Sequence, residues 1–299
     1  MLATRLISAG ILAPIVVAVA LLGEPWVSSL VGLLVFLAMV ELISLLDAGG
    51  FAPPQVVALG VGIVVAGAGL VVANQALVGG ALADLLRATD PPGLPTVIFA
   101  AAVVLLGVAG FTRAEPRDGF LTWAVTSFGI AYVALLAPFI VVVAHLAPAG
   151  GTAATPIGAL NVHAGTAWML LLLLVVWGYD SGAYLTGRWL GRRRLIDHIS
   201  PSKTVEGLVG GLLAGTVAAG IGAWLIGLEP WQPLVIGPII GLAAQAGDLA
   251  ESLIKRAAGR KESGFLVPGH GGVLDRIDSF LFAAPVLVFY ALLIPGYSL

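Results

Sequence analysis

The stretch Gly247–Ser279 reads GDLAESLIKRAAGRKESGFLVPGHGGVLDRIDS. It gathers acids, bases, a histidine and glycines at the end of one apolar run and the start of the next. Ionisable groups beside a membrane span are expensive, so such a cluster marks function by default. Asp248, Glu251, Ser252 and Lys255 fall at i, i+3, i+4 and i+7, which places them on one face of a helix. Asp275, Asp278 and Ser279 repeat that spacing on the following run. Between them lies a loop with Lys261, Gly264, Pro268, Gly269, His270, Gly271 and Gly272. Paired carboxylates on two helices suit a hard cation, which takes oxygen ligands. A basic, glycine-rich loop suits phosphate, because glycine lets backbone N–H groups approach an anion. The combination predicts a metal-assisted site for a phosphorylated substrate.

The elements that must carry this stretch are membrane helices. Of the 299 residues, 59% are apolar and only 10% charged, against about a quarter charged in a soluble domain. The reading is an all-α polytopic membrane protein. Nine runs approach the roughly 20 residues a bilayer requires, at 5–22, 27–46, 56–73, 95–110, 122–146, 166–187, 205–227, 233–254 and 276–294. We divide them into N-terminal transmembrane helices, 1–120, and a C-terminal catalytic region, 121–299. The first run holds Ala18-Val-Ala20, which resembles a cleavage site but is read as uncleaved, since the chain goes on spanning. With no cysteine, disulfide and thiol chemistry are excluded. No nucleic-acid partner is expected.

Smaller signals mark the remaining chain. Glu41, deep in the second run, is read as a hydrogen-bonding group between helices in preference to an outlying site residue, with no partner to name. Gly60, Gly62, Gly67 and Gly69 lighten the third run for close packing. Residues 74–95 are too polar and proline-rich to span, and 111–119 is read as a solvated charged loop. His145 and His163 are read as interfacial. Asp180, with Ser181 and Tyr184 beside it, is a further site candidate. The cluster Arg188, Arg192, Arg193 and Arg194 leads into Ser200-Pro-Ser-Lys203-Thr204-Val-Glu206-Gly207. Ser200-Pro is read as a helix start, and Lys203 with Thr204 as a phosphate contact. Gly207, Gly211, Gly215 and Ala219 form a small-residue ridge, as do Gly237 and Gly241. Such ridges suit packing within one chain or in a homodimer.

Lysine and arginine positions set the expected orientation. With nine spans and the N-terminus inside, all of the 14 basic residues except Arg87 fall on the inner side. The 247–279 stretch then faces the cytoplasm and the C-terminus lies outside.

The central stretch resembles the signature of the phosphatidate cytidylyltransferases, or CDP-diacylglycerol synthases. It carries Ser252-Leu-Ile-Lys255-Arg256, then Lys261-Glu262-Ser-Gly264, then Pro268-Gly-His270-Gly271-Gly272-Val-Leu-Asp275-Arg276-Ile-Asp278. Glu262 stands where that family usually has Asp, and Val267 stands for a bulkier aliphatic residue. Ser200–Gly207, Arg5-Leu-Ile-Ser8-Ala9 and Asp180 with Gly187-Arg188 are similar to further family segments. The resemblance implies transfer of a cytidylyl group from CTP to phosphatidate, giving CDP-diacylglycerol and pyrophosphate for phospholipid biosynthesis. It implies Mg2+, alone or with a second cation, held by Asp248, Asp275 and Asp278, with Glu251 and Asp180 as further ligand candidates. Lys203, Lys255, Arg256, Lys261 and Arg276 become phosphate contacts, and His270, Gly271 and Gly272 shape the loop around CTP. Ser200, Thr204, Glu206 and Ser252 complete the substrate-binding set, while Asp248, Lys255, Asp275 and Asp278 are the catalytic candidates. Short loops favour a bacterial plasma membrane. Two other readings fit the residues, an ion-coupled transporter and a CTP-dependent enzyme acting on another lipid.

Overall fold

A computed structural model describes residues 2–74, 93–148, 164–264, 266, 271–294 and 297–298. The sequence expectations for His163, Arg87, His270 and most of 74–95 fall outside these residues. The described chain is helical almost throughout. Its helices are α1 (Leu2–Leu22), α2 (Trp26–Ala48), α3 (Gln55–Ala73), α4 (Gly93–Gly110), α5 (Pro116–Ile130), α6 (Pro138–Val143), α7 (Ala164–Leu190), α8 (Val205–Ile226), α9 (Pro233–Ala257) and α10 (Leu274–Leu293). Four short strands, β1 (Ala147–Pro148), β2 (Arg194–Ile196), β3 (Ser200–Thr204) and β4 (Tyr297–Ser298), form two antiparallel pairs, β1 with β4 and β2 with β3.

The protein is therefore an all-α integral membrane protein, as expected. Seven helical segments among the described residues are long and apolar enough to cross a bilayer. Apolar stretches of two further helices, Gly10–Leu22 and Pro95–Gly110, are shorter. The run expected at 122–146 is not one regular helix. It comprises α5, a π-helical turn at Ala131–Leu135 and then α6, which begins at Pro138. Proline at a helix start costs no hydrogen bond, because the first N–H groups of a helix have no partner within it.

The chain divides into two compact units that interleave in sequence. The first comprises Met1–Ser8, Ser28–Val141 and Ile254–Ile277, and the second Ala9–Val27, Val142–Leu253 and Asp278–Leu299. In the first, α2 supplies a buried stripe through Val31, Val35, Ala38, Met39, Leu42, Leu45 and Leu46. Helix α3 packs on α4 and on the π-helical turn. Gly62 lies against Met39 and Gly69 against Pro138, as close packing requires, whereas Gly60 and Gly67 have no such neighbour. Trp123 closes the α4–α5 pair by donating its indole N–H to the Val103 carbonyl at 2.7 Å. The connection through 111–118 is exposed, and Arg113 reaches the Ala52 carbonyl.

In the second unit α7 and α8 lie against each other over most of their length. Glycines at Gly178, Gly182, Gly187 and Gly191 of the α7 side meet Ala218, Ala214, Gly207 and Thr204. Small residues at such a seam let two backbones approach, which is how helices associate without a hydrophobic drive between them. The ridge Gly207, Gly211, Gly215 and Ala219 is buried. Gly237 packs on Thr216, and Gly241 on Tyr179 and Leu212. These ridges are used inside the chain. Tyr179 is buried beside them and donates its hydroxyl to Gln245 at 2.7 Å.

Ser200-Pro does not start a helix. Residues 200–204 form β3, paired with β2, and α8 begins at Val205. The cap is Thr204, whose hydroxyl accepts the Gly207 N–H at 3.0 Å. A Ser-Pro pair carries the same local signal as a helix start, but strand pairing with 194–196 decides the backbone here.

Candidate active site

Helix α9 runs unbroken from Pro233 to Ala257, so Asp248, Glu251, Ser252 and Lys255 share a face as their spacing predicts. Helix α10 begins at Leu274 and carries Asp275, Arg276, Asp278 and Ser279 in its first two turns. Each helix has residues in both units, and the side chains form two separate clusters.

The cluster of the first unit is centred on Asp275. One carboxylate oxygen accepts the Lys255 ammonium at 2.5 Å. The other accepts the Ser263 hydroxyl at 2.7 Å, the Gly272 N–H at 2.8 Å and the Ser263 N–H at 3.3 Å. The side chains of Lys255 and Asp275 are only 11% and 10% exposed, so the pair is held in a low-dielectric setting where charge-assisted bonds are strong. A second carboxylate, Glu41 of α2, accepts the Val273 N–H at 3.0 Å and the Leu274 N–H at 2.9 Å. Glu41 thereby supplies negative charge to the N-terminus of α10, where the helix dipole and the orphan N–H groups both favour an anion. The Ser263 hydroxyl bridges the two carboxylates, lying 3.4 Å from Glu41. Gly271 has φ +80°, in the left-handed region that favours glycine.

In this cluster the backbone N–H groups of Ser263, Gly272, Val273 and Leu274 meet protein carboxylates. Of the loop glycines expected to face phosphate, Gly272 is among these four groups. The basic side chains are differently placed. Lys261, Arg256 and Arg276 are exposed, with Arg256 donating to the Arg260 carbonyl at 3.3 Å.

The cluster of the second unit is centred on Asp248. Its carboxylate takes the Lys203 ammonium at 2.5 Å and the Ser252 hydroxyl at 3.4 Å. Lys203 and Asp248 are 18% and 36% exposed at their side chains, so this pair is accessible. Lys203 is held by the β2–β3 hairpin. The Glu206 carboxylate accepts the backbone N–H groups of Arg192 and Arg193 at 3.0 and 3.2 Å, fixing the arginine turn, and Arg194 bonds the Pro201 carbonyl. Ser200 and Thr204 are buried. Gly247 packs against the backbone of Asp278 and Ser279, a contact with no room for a Cβ. The Asp278 carboxylate accepts the Ser279 N–H at 2.6 Å, and Glu251 is fully buried. Asp180 is exposed on α7.

Among the described residues no three His, Cys, Asp or Glu side chains converge as a metal centre requires. The donor set is oxygen-only and suits a hard cation in kind. As arranged, though, the Lys203 and Lys255 ammonium groups lie against the Asp248 and Asp275 oxygens that a cation would need. In this conformation Asp248 and Asp275 are each paired with a lysine.

The sequence reading placed Lys255 and Asp275 in one site, as phosphate contact and metal ligand rather than as an ion pair, and left two participants out. Ser263 was legible as a hydroxyl inside the signature, and Glu41 as an ionisable group inside a span, but nothing in the sequence joined them.

Next to Glu206 of the second cluster, α7 and α8 border an open groove of about 680 Å3. Gly182, Leu190, Val209, Gly210, Leu213 and Val217 are among the residues that line it.

Comparison with known proteins adds a family. The model of the cytidylyltransferase family matches residues 3–294. A phosphatidate cytidylyltransferase of Synechocystis is 43% identical over 136 residues, 45% of this chain and 46% of that protein. A phosphatidate cytidylyltransferase of Staphylococcus haemolyticus is 43% identical over 125 residues, 41% of this chain and 48% of that protein. A protein of Escherichia coli named Uncharacterized protein YnbB is 44% identical over 131 residues, 44% of each chain. The aligned stretches span less than half the length of these relatives. The family match, by contrast, runs across nearly all of the sequence, and the chain belongs to the cytidylyltransferase family.

Proposed function

We propose that this protein transfers the cytidylyl group of CTP to phosphatidate, releasing pyrophosphate and forming CDP-diacylglycerol. The observation that carries the reading is the Lys255–Asp275 pair, buried and tied into the signature turn of a chain of this family. A phosphate oxygen of the lipid forms the new bond to the α-phosphorus of CTP, and the bond from that phosphorus to the bridging oxygen breaks. The nucleophile is already an anion, so no general base has to activate it. What the protein must supply is positive charge, which offsets repulsion between anions and meets the charge that builds on pyrophosphate. In the first unit Lys255, Lys261, Arg276 and Arg256 are suited to this. In the second, Lys203 is, on a hairpin braced by Ser200, Thr204 and Glu206. Mg2+ enters the proposal as a requirement to be measured, since Asp248 and Asp275 would have to leave their lysines to bind it.

The α7–α8 groove is the proposed seat for a lipid chain. From Val205 to Val217 it follows thirteen residues of α8, twelve rises of 1.5 Å or about 18 Å. That is close to one leaflet of a hydrocarbon core roughly 30 Å thick. Its polar end is at Glu206, which holds the arginine turn. Replacing Val217, 67% exposed on the groove wall, with Trp should raise KM for long-chain phosphatidate severalfold and leave KM for CTP unchanged. An unchanged lipid KM would remove the groove from the proposal. The nine-span count, the cytoplasmic placing of residues 247–279 and a bacterial plasma membrane belong to the same proposal, carried by the lysine and arginine distribution.

The test is pyrophosphate release by purified, detergent-solubilised protein given CTP, Mg2+ and phosphatidate, each omitted in turn. Release that needs all three supports the reaction. Release that needs CTP but a different lipid shifts the acceptor, and no release from folded protein overturns the reading.

A further inference from the structure

We infer that Glu41, on a helix far from the signature in sequence, is the positioning residue of the reacting turn. This rests on the proposed transfer reaction. Its carboxylate is buried and accepts the N–H groups of Val273 and Leu274, the residues that immediately precede Asp275. It also lies against the Ser263 hydroxyl, which donates to Asp275 at 2.7 Å. Two glycines of the signature are explained by the same carboxylate. A Cβ on Gly264 would have Glu41 as its nearest neighbour, with Oε1 at 2.5 Å. A Cβ on Gly272 would meet Glu41 and Ser263. The turn is therefore moulded on Glu41, and through it the orientation of the Asp275 carboxylate toward Lys255 is fixed.

The chemistry of the contact singles out a carboxylate. Two backbone donors converge on two acceptor oxygens. Glutamine keeps the shape but turns one acceptor into a donor, which would face an N–H group. Leaving a buried donor unmet is the expensive outcome. Glu41 contributes no charge to the substrate in this scheme. It acts by holding the turn, and a misplacement of about 1 Å at a reacting group is enough to lower a rate by roughly 100-fold.

The experiment compares wild type with Glu41→Gln, Glu41→Asp, Glu41→Ala, Gly264→Ala and the double variant Glu41→Ala/Gly264→Ala. Pyrophosphate release and thermal unfolding in detergent are both read. Glu41→Gln should remain folded, lose kcat by roughly 10- to 100-fold and keep KM for CTP and phosphatidate near wild type. Glu41→Asp should fall between. Gly264→Ala should be harmful in wild type and much less so once Glu41 is Ala, because the side-chain atoms nearest the added methyl are then gone. Wild-type kcat in Glu41→Gln, or a Gly264→Ala penalty that is the same in both backgrounds, would overturn the inference. A wild-type protein without turnover would overturn the proposed reaction instead, and the Glu41–Gly264 cycle in unfolding temperature still decides whether Glu41 moulds the turn.

Discussion

The two Lys–Asp pairs have the same length, 2.5 Å, and opposite surroundings. Asp275 holds Lys255, Ser263 and Gly272 at once, and the turn that presents it is held again by Glu41. Asp248 holds Lys203 and, at 3.4 Å, Ser252, and is more than three times as exposed as Asp275. An ion pair that is buried and multiply bonded has a fixed geometry. One open to solvent gains little from its own attraction and exchanges its partner readily. The contrast separates a carboxylate that is part of the scaffold from one that is free to change hands when an anion or a cation arrives.

Substitution should divide the two on stability as well as rate. Asp275→Asn leaves a buried lysine facing an amide and weakens the turn. It should abolish pyrophosphate release and lower stability on the order of 3 kcal/mol, read as a lower unfolding temperature in detergent. Normal activity in that variant would take Asp275 out of the site. Asp248→Asn should also cut turnover, by about 100-fold, but with a stability change of no more than about 1 kcal/mol. An Asp248 variant as unstable as the Asp275 one would erase the distinction between the regions. Lys203→Met is the complement. It should follow Asp248→Asn in stability and raise KM for the anionic substrates.

What could be read from the sequence follows from the range of the interactions. The spans were legible because apolar runs near 20 residues have few other uses. The shared face of Asp248, Glu251, Ser252 and Lys255 was legible because helical spacing is local, and α9 is unbroken there. The Lys255–Asp275 contact joins residues 20 apart and lies within one signature. Glu41 meets Val273 and Leu274 across more than 230 residues. No periodicity reports such a pairing, so a carboxylate inside a span could be noticed without being matched. The same limit acted on the signature glycines. They suit a phosphate cradle, and at Gly264 and Gly272 Glu41 also leaves no room for a side chain. Ser200-Pro misled for the opposite reason. Its local signal was clear, but a strand partner four residues upstream, Ile196, outweighed it.

The smallest expected effect concerns the support beneath Lys203. Thr204 sits next to that lysine, caps α8 through the Gly207 N–H and packs its side chain beside Gly187 and Gly191. Loss of a threonine cap costs about 1 kcal/mol, so Thr204→Ala should lower the unfolding temperature slightly, while Thr204→Ser, which keeps the oxygen, should sit nearer wild type. The functional consequence depends on which picture of the second cluster holds. If Lys203 works as an exchangeable cation on a flexible stem, a shift of its strand is absorbed by the side chain, and Thr204→Ala should change KM for CTP less than twofold. If Lys203 must instead be held as rigidly as Lys255, the same variant should lose kcat out of proportion to its small loss of stability. The second result would mean that exposure at Asp248 does not make its lysine adaptable, and that both pairs are scaffold.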